Sequence, residues 1–490
     1  MPHQPLVMFP ALLAIVLAFV CIAAPTATSA GPVLIWSACP DVPHTECAGL
    51  DVAVDPGRPE GAKLTLRLAR VPAADPAHRK GVLLVIPGGP GAGIRETVGG
   101  EARAAQHIEE LAQHYDVVTF DPRGIGESSP ILCAPGFVPA VSAPVTIVPS
   151  PAEFETIAHA NGLLFQSCIA TTGELMAHLS AMDTAADIER IRQALTPNDG
   201  LIAYGASYGT VYGAAYLERY GDHVKSLVLD AAVDHSIAFP TLLSRNVLSV
   251  EDAFDRLTQW CAKDSTCALH GQDLGAVFDA AIITAPAVRT VVPQLLATGL
   301  DPQLGWPALA HMLEQVSRGD TSILDALSKT ASLGSTAADP RIVAGKHGLF
   351  AGVFCSDFGP QRDYAELSAA AAALAMRARR FAWKFWDATP LDHGTASVAL
   401  CVGWPNETTN PPHHLQIGPH PNVMVASPTH DPATPLVSAL SLWLHIPDAR
   451  LLIADVDGHQ SLTVSACAFK AAARFLDDPN SVSTTTICPN

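Results

Sequence analysis

The chain has 490 residues, of which 49% are hydrophobic, and it carries a formal net charge of -18. This length allows two or three domains, and the hydrophobic content is enough for a large buried core. The negative charge argues against nonspecific nucleic-acid binding, which needs a basic surface to neutralise phosphates, so no nucleic-acid partner is expected.

The first thirty residues have the composition of a secretory signal peptide. An apolar run from Leu6 to Ala24 precedes the small-residue stretch Pro25–Ala30, whose end suits cleavage. His3 is the only potentially cationic side chain before the apolar run, so an uncleaved membrane anchor is the alternative. We predict a signal peptide over residues 1–30 and an exported protein, secreted or periplasmic, without a stable membrane partner after cleavage.

The cysteine count predicts disulfides. Of 11 cysteines, only Cys21 lies in the predicted signal, which leaves ten in the mature chain. An even number in an exported protein favours disulfide bonds, although it fixes no connectivity. No Cys-x-x-Cys motif or closely spaced Cys/His cluster occurs, so we expect neither a metal nor a cofactor. The simplest hypothesis pairs sequence neighbours: Cys39 with Cys47, Cys133 with Cys168, Cys261 with Cys267, Cys355 with Cys401, and Cys467 with Cys488.

Strand-like apolar runs recur along the chain, with helical segments between them. The central runs are apolar throughout, as expected for strands buried on both faces of a mostly parallel sheet. Asp183–Leu195 and Tyr208–Tyr220 have the apolar spacing of helices, and this alternation predicts an α/β architecture. The predicted strands are Lys63–Val71, Gly81–Ile86, Asp116–Asp121, Gly200–Ala206, Val224–Ala232, Asn422–Ser427 and Arg450–Val456.

The strand rhythm stops between about Ser236 and Trp404. The sequence there is alanine-rich and helical, with helices predicted over Val250–Ala262, Leu304–Ser317 and Tyr364–Phe385. We interpret this block as a cap inserted into the core, and an independent helical domain without a role at the site is the alternative. The predicted organisation is a signal peptide (1–30), a first core part (31–235), a helical cap (236–404) and a second core part (405–490).

A serine between two glycines marks the most informative turn. Gly205-Ala206-Ser207-Tyr208-Gly209 falls where a predicted strand meets a predicted helix. This arrangement is typical of the nucleophile elbow of α/β-hydrolases, where the strained backbone leaves no room for side chains beside the serine. A helix start with a capping serine is the alternative. We therefore identify Ser207 as the candidate nucleophile.

A nucleophilic serine needs a base and an acid that orients the base. In α/β-hydrolases these follow in the order Ser, Asp, His, each after a strand. Asp431 and His459 satisfy this order after the last two predicted core strands. Asp230 also ends a strand, but it precedes the helical block, and we assign it a structural role. The remaining competitors are His430, beside Asp431, and His445, in a helical stretch.

Two backbone N–H groups are candidates for the oxyanion hole. The glycine-rich run Ile86–Gly91 follows a predicted strand, and we expect the N–H of Gly89, with that of Gly88 as an additional candidate beside it, to act together with the N–H of Tyr208. A tight turn is the alternative for the glycines. The run Asp121–Ser128 follows the next strand, and we expect it to brace the loops around the site.

The ordered motifs resemble the proline-iminopeptidase family of secreted serine peptidases, in particular its tripeptidyl-aminopeptidase-like branch. They are Trp36–Pro40, Pro87–Gly91, Phe120–Gly124, Gly205–Thr210, Cys355–Asp357, Cys401–Pro405, Asp431–Pro435, Gly458–His459 and the closing segment Cys467–Cys488. The resemblance covers nearly the whole mature chain. It implies an α/β-hydrolase core, a helical cap and cleavage at a free amino terminus, with Ser207 as nucleophile, Asp431 as orienting acid and His459 as base. Pro87 stands where iminopeptidases have histidine, which weakens a proline-specific interpretation, and Gln460 stands where glycine is usual.

The resemblance also implies an acidic group that holds the substrate ammonium, because a buried cation needs a partner. The candidates in the predicted cap are Glu251, Asp252, Asp255, Glu314, Asp320 and Asp357. We favour Asp357, and a structural acid beside a disulfide is the alternative. The leading hypothesis is an exported serine exopeptidase acting on peptide substrates. A carboxylesterase or lipase on the same scaffold and a noncatalytic hydrolase-like binding protein are the other hypotheses, and the sequence does not give the oligomeric state.

Overall fold

A ten-stranded sheet runs through the computed structural model, which describes Met1 and residues 34–40, 42–99, 102–135, 147–297, 305–332, 340–387 and 397–489. The predicted signal peptide falls outside these residues except for Met1. Within them, no helix combines the length and apolar character needed to cross a membrane.

The sheet has the order β1-β2-β3-β5-β4-β6-β7-β8-β9-β10. The pairs from β1 to β5 are antiparallel, and all pairs from β5 through β4 to β10 are parallel. The strands are β1 (Ser37–Ala38), β2 (Glu46–Ala53), β3 (Lys63–Val71), β4 (Gly81–Ile86), β5 (Tyr115–Phe120), β6 (Leu201–Ala206), β7 (Val224–Asp230), β8 (Val423–His430), β9 (Arg450–Asp457) and β10 (Thr485–Cys488). All seven predicted strands are present, while β1, β2 and β10 were not predicted.

Helices cover both faces of the sheet, as the continuously apolar strands require. Alternate residues of β4 illustrate this: Leu84 and Ile86 belong to one buried cluster, and Leu83 and Val85 to the other. The helices outside the predicted cap are α1 (Ile94–Val98), α2 (Ala102–Leu111), α3 (Pro151–Thr172), α4 (Ala181–Leu195), α5 (Gly209–Tyr220), α13 (Leu436–Leu444), α14 (Ser461–Val464) and α15 (Ala466–Asp477). The α/β architecture predicted from the sequence is therefore confirmed.

The described residues between about 239 and 401 form helices joined by loops and contain no strand. The helices are α6 (Phe239–Lys263), α7 (Leu274–Thr284), α8 (Val288–Ala297), α9 (Gly305–Ser317), α10 (Ser322–Ser332), α11 (Pro340–Phe358) and α12 (Tyr364–Ala375), with short 3-10 turns at Ala382–Phe385 and Val398–Cys401. The predicted helix Tyr364–Phe385 is thus interrupted after Ala375. Phe254, Phe278 and Phe381 form a buried aromatic cluster within this helical block, with ring centroids 4.8–5.6 Å apart.

Five disulfides join the ten cysteines as sequence neighbours, which is the pairing that the simplest hypothesis gives. Cys467–Cys488 ties α15 to the final strand, and Cys39–Cys47 ties β1 to β2. Both bonds therefore fasten a short strand at an edge of the sheet, since β1 has two residues and β10 has four.

Candidate active site

Three parallel strands lead directly into the predicted catalytic residues. β6 and β8 end immediately before Ser207 and Asp431, and β9 ends two residues before His459. Because β6, β7, β8 and β9 are parallel neighbours, their carboxyl ends meet at one edge of the sheet. The structure therefore brings the three predicted residues to the same edge.

Ser207 occupies a sharp turn between β6 and α5. Its φ of +56° lies in the left-handed region, which costs energy for a residue with a side chain. Its N–H donates to the carbonyl oxygen of Asp230 at 3.0 Å. A Cβ on Gly205 would lie 2.8 Å from the carbonyl oxygen of Gly209, and one on Gly209 would lie 2.5 Å from that of Ile86. The turn therefore requires glycine on both sides of the serine.

His459 is oriented by Asp431. Its Nδ1 lies 2.9 Å from Oδ2 and 3.0 Å from Oδ1 of Asp431. Oδ1 also accepts hydrogen bonds from the N–H groups of Ala433 and Thr434, each at 2.8 Å. The Asp431 side chain has no exposed area, and 12% of the His459 side chain is exposed. A carboxylate at Nδ1 keeps the proton of the neutral ring on that nitrogen, so Nε2 is the basic atom.

The pKa of His459 lies above its ordinary value. Burial opposes the charged ring and lowers the pKa, but the charge of Asp431 and the hydrogen bond to it raise the pKa, with a further contribution from the charge of Asp230. The site thus stabilises an imidazolium, which is the state that a general base reaches when it takes a proton.

The loop after β4 packs against the elbow. A Cβ on Gly88 would lie 2.7 Å from the carbonyl oxygen of Ala206 and 3.1 Å from Cβ of Ser207. Gly89 has a φ of +104°, a conformation that favours glycine. Among the residues that the structure describes, no protein acceptor takes the N–H of Gly89 or of Tyr208. Both groups are free to donate elsewhere, as the predicted oxyanion role requires.

The run after β5 braces the site, as predicted. Oδ1 of Asp121 accepts a hydrogen bond from the N–H of Ile94 at 2.8 Å, and Oδ2 accepts one from the N–H of Glu127 at 2.9 Å. Arg123 forms a bidentate pair with Asp187 at 2.8 and 2.7 Å, and both side chains are buried. These contacts fix the loops without presenting a reactive group.

The amine-binding role predicted for Asp357 does not fit the structure. Its side chain is fully buried, and its carboxylate accepts hydrogen bonds from the Tyr208 hydroxyl (2.6 Å), the N–H of Ala181 (2.9 Å) and Nδ2 of Asn410 (2.8 Å). Three donors of the protein occupy the oxygens that a substrate ammonium would need. Asp357 is instead a structural acid that joins the cap helix α11 to the residue after the elbow serine.

One face of helix α6, in the predicted cap, contacts the loops of the acid and the base. Its contributing positions are spaced three and four residues apart, so they share one side of the helix. The contacts are Ser249 Oγ to the Pro432 carbonyl oxygen (3.1 Å), Asp252 Oδ2 to His430 Nδ1 (3.2 Å) and Arg256 Nη2 to Asp457 Oδ2 (2.6 Å). This contact could not be predicted from the sequence, because its two sides are more than 170 residues apart.

Asp230, for which a structural role is predicted, contacts the turns of both the candidate nucleophile and the candidate base. It ends β7, between the strand of the nucleophile and the strand of the acid. Its carbonyl oxygen holds the N–H of Ser207, and its buried carboxylate holds the residues that follow His459. Its position at a strand end between the two functional strands was the available signal.

One cluster in the described part of the chain has side chains of the kinds that bind metals. It comprises Asp55, Glu174 and His178, whose ligand atoms lie within 4.8 Å of one another. Arg58 donates hydrogen bonds to both carboxylates, so a guanidinium already supplies the positive charge there.

The comparisons with known proteins agree with this geometry. Residues 81–301 match a family described as the alpha/beta hydrolase fold, and residues 391–488 match one described as TAP-like protein. The chain is 30% identical over 443 residues to Carboxylesterase B of Mycobacterium tuberculosis, covering 85% of this chain and 82% of the relative. It is 29% identical over 430 residues to Serine protease Hip1 of the same organism (81% and 78%) and 26% identical over 446 residues to Tripeptidyl aminopeptidase of Streptomyces lividans (85% and 78%).

Proposed function

Since the chain belongs to the TAP-like α/β-hydrolases and is thus a serine hydrolase, we propose that it is an exported exopeptidase that cleaves residues or short peptides from a free amino terminus. The observation that carries the proposal is the oriented base, with Nδ1 of His459 on Asp431 at the edge where Ser207 lies in a strained turn.

In the first half of the reaction, Nε2 of His459 takes the proton from Oγ of Ser207 as Oγ attacks the substrate carbonyl carbon. The carbonyl oxygen gains negative charge, and the N–H groups of Gly89 and Tyr208 donate to it. The imidazolium then gives its proton to the leaving amine as the peptide bond breaks. The amino-terminal part of the substrate stays as an ester on Ser207, and the remaining peptide leaves.

In the second half, a water molecule attacks the ester while His459 accepts its proton. The second tetrahedral intermediate collapses, the carbon–oxygen bond to Ser207 breaks, and the proton on His459 returns to Oγ. The carboxylate of Asp431 stabilises the imidazolium at each stage. The amino-terminal fragment leaves as a free acid, which restores the resting enzyme.

Two observations support peptides with free ends as substrates. The relatives include proteins named as a serine protease and a tripeptidyl aminopeptidase. Helix α6 lies over the loops of Asp431 and His459, and a helix that covers the site in this way favours a chain end over the middle of a long polypeptide.

The five disulfides support export, because such bonds persist in oxidising compartments.

The direct test is Ser207→Ala, with Ser317→Ala, an exposed serine on cap helix α9, as the matched control. Ser207→Ala should abolish covalent labelling by a fluorophosphonate and lower turnover by about 10⁴-fold or more, while the control should keep both. Peptide products identified by mass spectrometry then give the number of residues released. Labelling that persists on another residue in Ser207→Ala contradicts the assignment.

An esterase is the second candidate function, because the 30% identical relative is named a carboxylesterase and the same triad chemistry cleaves esters. Aminoacyl and tripeptidyl anilides with free and acetylated amino termini separate the two functions. An exopeptidase should cleave the free forms at least about 100-fold faster, since its site must pair the ammonium. Equal rates, together with fast cleavage of short-chain esters, would favour the esterase.

A further inference from the structure

The carboxylate of Asp230 is the meeting point of four hydrogen-bond donors. Oδ1 accepts from the N–H and the hydroxyl of Ser461 at 3.0 and 2.5 Å, and Oδ2 accepts from the N–H of Leu462 and the hydroxyl of Tyr204 at 3.0 and 3.1 Å. Asp230 has no exposed area. A buried carboxylate persists only when donors of this kind compensate its lost hydration.

Three of these donors belong to the segment that immediately follows His459. Gln460, between His459 and Ser461, has a φ of +69°, so the chain turns sharply there and enters α14. On the other side of the histidine, the N–H of Gly458 donates to the carbonyl oxygen of His430 at 3.3 Å. Asp230 thus anchors the main chain on the carboxyl-terminal side of His459, whereas Asp431 contacts only the imidazole ring.

The same residue holds the nucleophile turn through its main chain, since its carbonyl oxygen accepts the N–H of Ser207. A shift of Asp230 therefore moves the serine and the histidine loop together. We infer that Asp230 is a positioning residue for catalysis, which sets the distance between Ser207 and His459 by binding both of their turns. This inference rests on the proposed roles of Ser207 and His459.

The charge of Asp230 provides a test that distinguishes a positioning residue from a purely structural one, because it acts on the pKa of His459. The negative charge of Asp230 contributes to the raised pKa of His459, along with the larger contribution of Asp431. The other charged or titratable groups beside this loop include Asp431 itself and two contacts with helix α6, Arg256–Asp457 and Asp252–His430. Removing the Asp230 charge should therefore lower the pH at which His459 becomes protonated.

The test compares Asp230→Asn with Ser461→Ala and with Asp234→Asn. Asp234 is another buried acid of the same segment, but it binds Ser236 and Arg245 instead of the histidine loop. Asp230→Asn should lower kcat by about 100-fold, because small misplacements of reacting groups have effects of this size. KM should change by less than about 3-fold, and the acid limb of the kcat/KM profile should move to lower pH. Ser461→Ala keeps the charge, so kcat should fall about 10-fold or less without a shift of the limb.

The rate of fluorophosphonate labelling at Ser207 separates this inference from the proposed function. A wild-type protein that does not label at Ser207 contradicts the proposed function itself. The inference is overturned if the wild type labels at Ser207 and Asp230→Asn labels at the same rate, with the acid limb of its kcat/KM profile at the same pH. Equal losses of kcat in Asp230→Asn and Asp234→Asn, without a shift of the limb, also overturn it. If Asp230→Asn does not fold, Ser461→Ala with wild-type kcat overturns it.

Discussion

The hydroxyl of Tyr208 donates a 2.6 Å hydrogen bond to Oδ2 of Asp357, and this bond joins the residue after the elbow serine to cap helix α11. The N–H of the same tyrosine is one of the two predicted oxyanion donors. The position of that N–H therefore depends on a contact with the predicted cap. A mutation that removes only the hydroxyl tests this dependence, because it leaves the N–H in place.

Tyr208→Phe keeps the ring and removes the donor to Asp357. The free energy of unfolding should fall by about 1–3 kcal/mol, because a buried carboxylate loses one of its partners. We expect kcat to fall on the order of 10-fold, which is less than the effect of losing an oxyanion donor outright. Urea unfolding and steady-state kinetics measure the two effects. Tyr220→Phe, at the other end of α5, is the control, and equal kcat values in both variants would contradict the link.

The pH dependence of turnover should reflect the raised pKa of His459. Only the neutral ring accepts a proton, so kcat/KM should rise with pH with a midpoint above about 6.5, the ordinary histidine value. Asp431→Asn should move the midpoint down and lower kcat by about 10⁴-fold. Asp455→Asn, which changes an exposed acid four residues before His459, should leave the midpoint in place.

The same shift has a consequence for stability. The folded-state pKa of His459 is raised, so its protonated ring stabilises the fold fully below the pKa of the unfolded chain. This contribution disappears as the pH rises through the folded-state pKa. The difference in unfolding free energy between wild type and His459→Gln should therefore be larger at pH 5.5 than at pH 8, as measured by urea titration. A difference that grows with pH has the wrong sign for this explanation.

Gly88→Ala should damage the site more than the fold. The added Cβ would lie 2.7 Å from the carbonyl oxygen of Ala206, so either the glycine loop or the elbow must move. We expect kcat to fall by about 100-fold or more, because both predicted oxyanion donors, Gly89 and Tyr208, lie on these two segments. Gly418→Ala adds a methyl group with no atom within 4 Å and serves as the control. Wild-type turnover in Gly88→Ala would show that the loop tolerates displacement.

The pair Arg123–Asp187 should contribute far more to stability than a surface pair. Both side chains are at most 2% exposed, so Asp187→Asn leaves a guanidinium buried without its counter-charge. We expect a loss of about 3–5 kcal/mol in unfolding free energy. Asp199→Asn breaks the exposed pair with Lys225 and should cost less than about 1 kcal/mol. Denaturant titration of the two variants, at matched salt, tests this ranking.

The sequence was sufficient for the strands that carry the site and insufficient at the edges of the sheet. β4 and β6 are apolar runs whose residues are mostly buried, so a few residues of sequence are enough to indicate each strand. The edge strand β1 has only two residues, its neighbour β2 contains a glycine and weak strand formers, and the other edge strand, β10, has four residues that pair only with β9. Their strand conformation depends on tertiary pairing and disulfides, which local sequence does not encode.

The burial of side chains and the contacts between distant parts of the chain could not be predicted from the sequence. Chain order and strand ends sufficed for the candidates Ser207, Asp431 and His459. The motif that contains Asp357 showed an acid beside a cysteine, but not that three donors surround it in the core. The contact from Asp230 to Ser461 spans 231 residues, and only the packing of β7 against the loop after β9 creates it.

The face of α6 with Ser249, Asp252 and Arg256 couples the position of this helix to the positions of the acid and base loops. Any displacement of α6 would break these three contacts, so a ligand that pushed the helix outward would also loosen the loops that hold Asp431 and His459.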